Sequence, residues 1–61
     1  MNTVAVGPKA EKYRNGDRVT HEVFGDGVVI QIKGKSMDVA FAYPFGVKTL
    51  MIGHPAIHKK D

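Results

Sequence analysis

The sequence predicts a small all-β barrel of four or five short antiparallel strands, and three observations predict it. Short apolar runs rich in β-branched residues recur from Tyr13 onward, each closed by a glycine-bearing turn. No segment of helical length carries a 3.6-residue apolar period. With 61 residues the chain is too short for a large sandwich, and curling is how so few strands cover a core while leaving little unprotected edge.

The elements follow in order. Residues 1–12, including Gly7-Pro8-Lys9-Ala10-Glu11-Lys12, hold neither a strand nor a helix period and read as a flexible lead-in or linker. Residues 13–61 are the barrel. Gly16-Asp17 is a turn pair before a short strand, Arg18-Val19-Thr20-His21. Phe24-Gly25-Asp26-Gly27 breaks the chain again, and its two glycines read as hinges that close the fold. Residues 28–33 give the strongest strand signal, and alternation assigns Val28, Ile30 and Ile32 to the core with Val29, Gln31 and Lys33 opposite. Gly34-Lys35-Ser36 turns the chain into a returning strand over residues 37–41, where Val39 and Phe41 share a face.

Pro44 and Gly46 make a turn of residues 42–46, since proline cannot donate to a ladder. Residues 47–52 form a fourth strand whose facing the pattern leaves open. Gly53-His54-Pro55 ends it, and Ala56-Ile57-His58 adds a short closing strand. The expected core is Val19, Phe24, Val28, Ile30, Ile32, Val39, Phe41, Leu50 and Ile57.

Composition narrows the function classes. There is no cysteine, which removes disulfides, thiolate nucleophiles and the usual structural zinc sites. No run approaches the ~20 apolar residues that cross a bilayer, and the N-terminus lacks the marks of a secretory signal, so a cytoplasmic setting without membrane contact is expected. His54 and His58 are four apart, but Pro55 lies between them and no cysteine assists, so a metal is not expected. Gly34-Lys35-Ser36 lacks the glycine-rich run and the following helix of a phosphate-binding loop. Asp17, Glu22, Asp26 and Asp38 are scattered, with no basis for an acid–base pair. The reading is a non-catalytic binding module with no cofactor, acting as a monomer.

The run Gly16-Asp17-Arg18-Val19-Thr20-His21-Glu22-Val23-Phe24-Gly25-Asp26-Gly27-Val28-Val29 resembles the opening of the Tudor-like module that ends bacterial UvrD/PcrA-type DNA helicases. The similarity continues through Val39-Ala40-Phe41 and Gly46-Val47-Lys48-Thr49-Leu50, and ends near Ala56-Ile57-His58-Lys59. It implies an SH3-like, five-stranded barrel without motor chemistry. It also implies a protein-docking role, directed at RNA polymerase in transcription-coupled repair or at another DNA repair protein. Gly16, Val19, His21, Phe24, Gly25, Gly27 and Val29 match as fold-making positions, and Lys48 matches as a polar contact. Two departures stand out. The resemblance implies basic residues just before the motif aromatic, where this chain has Glu22 and Val23. Gly53-His54-Pro55 interrupts a segment that is smoother in the family.

The candidate partner-binding residues are Glu22, Val23, Lys33, Lys35, Tyr43, Phe45 and Lys48. Tyr43 and Phe45 flank Pro44 and form either an exposed apolar knob or a cap on one barrel end. Convergence of Tyr13, Tyr43 and Phe45 into a cage for a methylated lysine is not indicated. The alternative function is direct DNA or RNA contact through Lys33, Lys35, Lys48 and the Lys59-Lys60 end, given a net charge of +3. Regular aromatic interleaving for base stacking is missing.

Overall fold

The computed structural model describes residues 12–60. Five strands follow in chain order: β1 (Arg18–His21), β2 (Gly25–Lys33), β3 (Ser36–Phe41), β4 (Val47–Met51) and β5 (Ile57–Lys59). All neighbours pair antiparallel in one sheet of order β4-β3-β2-β1-β5. Four strands therefore form a meander, and β5 returns to lie beside β1. The lead-in expected over residues 1–12 falls outside the described residues except for Lys12, as does Asp61 at the other end.

Chain length forces this sheet to curl. Met51, at the end of β4, lies level with Ser36 and through it with Lys33 of β2. Ile57, at the start of β5, lies level with His21 and through it with Gly25, at the opposite end of β2. On a flat sheet those two points would be about 26 Å apart along the strands and about 19 Å across four strand spacings, a diagonal of about 32 Å. The six chain steps from Met51 to Ile57 reach at most ~22 Å. Only a strongly twisted and curled sheet brings the ends within reach, which is the half-barrel geometry of a small SH3-like fold.

The concave side holds the core: Tyr13, Val19, Val29, Met37, Val39, Phe41 and Ile57 are buried, with Phe24, Ile32, Leu50 and Ile52 packed against them. Val19, Val29, Val39 and Met37 are fully enclosed, and burying each such side chain stabilises by about 1.5–3 kcal/mol. β4 resolves the facing left open by its pattern, with Lys48 and Leu50 on the inner side and Val47, Thr49 and Met51 exposed.

The facing of β2 corrects the alternation. Val28 and Ile30 are exposed at 39% and 47%, while Val29 is fully buried. The pairing register with β3 shifts between Val29 and Gln31. A bulge at this point adds one unpaired residue and reverses parity beyond it, so Val29 and Ile32 both turn to the core although they are three apart. Strict period-2 counting cannot place both on one side.

Gly27 is also reassigned. It is buried, and a Cβ there would lie 2.7 Å from Cδ1 of Phe41 and 2.8 Å from Cγ1 of Val39. Its lack of a side chain makes room for the core ring, whereas Gly25, with φ of +81°, supplies the backbone turn. Of the two expected hinges, only Gly25 is one.

Candidate partner-binding surface

The antiparallel registers bring the end of β1, the start of β2, the end of β3 and the starts of β4 and β5 to one end of the sheet. The turn of residues 22–24 and the loop of residues 42–46 therefore meet there. His21 organises this end. Its Nδ1 accepts the amide N–H of Val23 at 3.0 Å and of Phe24 at 3.3 Å, which holds the turn and fixes the ring's orientation. The imidazole stacks on Phe24 with centroids 4.4 Å apart, meets the edge of Phe41 at 6.0 Å and stacks toward His54 at 6.5 Å.

Phe24 continues the cluster outward. Its ring lies 5.2 Å from Phe41 and 5.2 Å from Phe45, within the range of favourable aromatic pairs. Lys48 Nζ sits 5.1 Å from the Phe24 centroid, close enough for a cation–π attraction. The row thus runs from buried Phe41 through Phe24 to Phe45 at the surface, with an ammonium group on top.

The two loop aromatics divide between the two readings. Phe45, 37% exposed, packs on Phe24 and caps the end of the barrel. Tyr43 is 96% exposed and stands in solvent beside it. Val23, on the opposing turn, is exposed as well, and Glu22 lies 4.0 Å from His58 Nε2 across the same turn. Five of the seven candidate residues, Glu22, Val23, Tyr43, Phe45 and Lys48, therefore occupy this end. Tyr13 belongs to the core and shares no open cage with Tyr43.

Lys33 and Lys35 are elsewhere. They flank the β2–β3 turn at the opposite end of the sheet, so they do not form one patch with Lys48. The lysines of β5 and the C-terminal end are engaged differently again: Lys59 Nζ is 3.5 Å from Asp17 and Lys60 Nζ is 2.6 Å from Asp26. Asp17 is held below the usual carboxylate range by the Arg14 amide N–H it accepts and, secondarily, by Lys59. Asp26 is lowered chiefly by its hydrogen bond from Lys60. The ion pairs lie around β1 and β5, whereas Lys33, Lys35 and Lys48 form none among the described residues.

Sequence reasoning took His21 as a fold-making position and tested His54 as a metal ligand, so it missed both as parts of this surface. The available signal was a histidine at a strand end two and three residues before the amides it accepts. His54 repeats the device, its Nδ1 accepting the Ala56 N–H at 3.0 Å.

Among known proteins, residues 15–59 match the PcrA/UvrD tudor domain family. The chain belongs to that family. It is also 37% identical over 49 residues to the ATP-dependent DNA helicase PcrA of Bacillus subtilis, an alignment that covers 74% of this chain and 7% of the helicase. The chain thus corresponds to a small part of that relative's length. The tudor domain is non-catalytic, as the residues implied, and the helicase relative carries its ATP-dependent activity in a much larger chain.

Proposed function

We propose that this tudor domain is a protein-docking module that brings a PcrA/UvrD-type helicase onto RNA polymerase in transcription-coupled repair. The observation that carries the reading is the solvent-exposed Tyr43, set beside Phe45 and Lys48 on a platform whose base is locked into the core through Phe24 and Phe41. An exposed aromatic on a rigid base is the kind of group that dominates protein interfaces, because little side-chain freedom is lost when it is buried. Glu22 and Val23 give the rim of this platform an acidic and apolar character in place of the basic pair that the family resemblance implies. A polymerase surface with an apolar pocket beside a basic group is the complementary shape.

The test is a titration of fluorescently labelled domain with purified bacterial RNA polymerase. Saturable binding that weakens in Tyr43→Ala supports the reading. Absence of saturation at tens of micromolar polymerase rejects it. Direct nucleic-acid contact is the lesser reading, since the five lysines it calls on are dispersed and two of them are paired with carboxylates.

A further inference from the structure

The turn that leads into β1 carries a reactive pair of residues. The chain has two asparagines, and only Asn15 precedes a glycine. Asn15 and Gly16 form the centre of a turn that the Asp17 N–H closes onto the Arg14 carbonyl at 3.0 Å, with Gly16 at φ of +94°. Both residues are exposed, and beyond the chain neighbours no heavy atom lies within 4 Å of where a Cβ of Gly16 would sit. Water and hydroxide therefore reach this turn. An asparagine followed by glycine is open to attack by its own backbone, because no side chain on the next residue obstructs the approach. The Gly16 amide nitrogen gives its proton to hydroxide, and its lone pair forms a bond to Asn15 Cγ. The Cγ–Nδ2 bond breaks, and the side-chain nitrogen takes a proton from water and leaves as ammonia. Water then opens the resulting succinimide ring at either carbonyl, which yields an aspartyl or an isoaspartyl residue at position 15.

The closed fold withholds the atom that this reaction needs. The Gly16 N–H donates to the carbonyl of fully buried Val29 at 2.7 Å, and the Val29 N–H donates back to the Asp17 carbonyl at 2.9 Å. A proton held in such a bond is kept from hydroxide, and the nitrogen that must attack is the one that anchors the turn to β2. Two further contacts brace the turn. The Arg14 N–H donates to Asp17 Oδ2 at 3.0 Å, and Lys59 Nζ of β5 lies 3.5 Å from the same carboxylate. Asn15 is thus reactive by its neighbour and by its exposure. Hydrogen bonding, not burial, protects it, and that protection ends whenever residues 16 and 17 part from Val29.

We propose that Asn15 is a site of spontaneous deamidation gated by the pairing of Gly16 and Asp17 with Val29, so that the modification marks molecules in which this turn has opened. An isoaspartyl product runs the main chain through the side-chain carbons and adds one atom between Arg14 and Gly16. The bonds from Arg14 to Asp17 and from Gly16 to Val29 then no longer fit together. Tyr13, which enters the core just before the turn, loses its fixed approach. The change is not undone when the turn closes again, so each opening carries a chance of permanent loosening at the start of the barrel. The inference is independent of what docks on the aromatic surface.

The experiment follows deamidation at position 15 by peptide mapping and mass spectrometry, with chromatography separating the aspartyl and isoaspartyl products. The 61-residue chain and a blocked synthetic peptide of residues 12–19 are incubated side by side in one neutral buffer. The folded chain reacts at least about tenfold more slowly than the peptide, since the reaction waits on local opening. Asp17→Ala removes the acceptor of the Arg14 N–H and speeds the reaction in the folded chain by about threefold or more. Asp17→Asn keeps an acceptor there without the charge and stays within about twofold of the parent chain. Amide exchange of β3, measured by NMR on each variant, shows that the sheet stays closed, and the comparison of chain with peptide stands even if Asp17→Ala does not fold. Three results overturn the inference: equal rates in chain and peptide, no acceleration in a folded Asp17→Ala, or an equal acceleration in Asp17→Asn. The last would assign the effect to the charge of Asp17 and not to the hydrogen bonds that close the turn.

Discussion

At the residue scale, two glycines two positions apart do different work, and substitution separates them. Gly27→Ala drives a Cβ against Phe41 and Val39, and overpacking of this kind costs about 1–3 kcal/mol. Gly25→Ala meets no atom within 4 Å but strains a backbone at φ of +81°, for about 1–2 kcal/mol. Urea denaturation measures both, and combining Gly27→Ala with Phe41→Leu recovers part of the loss only in the first case. His21→Ala leaves the Val23 and Phe24 amides without their acceptor and removes a stacked ring, for about 1–3 kcal/mol. By contrast, Tyr43→Ala changes stability by less than about 0.5 kcal/mol, since its side chain is almost wholly in solvent. It lowers polymerase affinity about tenfold if the proposed docking holds. Stability and affinity measured on the same variant separate the two roles.

At the element scale, the strands were legible in the sequence and the facing of β2 was not. Glycine turns and β-branched runs located all five strands to within a few residues, because those signals are local. The alternation then put Val28 and Ile30 inside and Val29 outside, the reverse of what the structure has. The cause is the register shift between Val29 and Gln31, which depends on pairing with β3 and leaves no mark in β2 alone. Met37 was missed as core because it opens a strand, and Tyr13 because it precedes all of them. The pattern named seven candidate surface residues without saying how they group; the strand registers put five at one end of the sheet and Lys33 and Lys35 at the other, since proximity of β2 to β4 across β3 does not fix which end a lysine occupies. The bulge makes a clear prediction. Ile30→Lys changes stability by no more than about 0.5 kcal/mol, whereas Val29→Ala opens a cavity and costs about 2 kcal/mol or more, again by urea denaturation.

At the scale of the whole molecule, charge and connectivity are both uneven. The stabilisation that Asp17 and Asp26 draw from their partners exists while they are ionised. Their folded-state pKa values are depressed, so this contribution is fully present above the unfolded carboxylate pKa of about 3.9. It is lost as pH falls through the lower folded values. Thermal melts between pH 6 and pH 2, on the order of that range, show the drop, and Asp26→Asn flattens part of it. Both carboxylates are solvent-facing, so added salt weakens the effect. Connectivity sets a further consequence in time. β1 to β4 pair with chain neighbours, but β5 reaches β1 only after the short connection has carried the chain around the curled sheet. Long-range closure of that kind is entropically late. The meander therefore assembles first and the last strand seals it, so Ile57→Val accelerates unfolding in stopped-flow experiments and leaves the folding rate nearly unchanged. The strap that bends the sheet is also its latch.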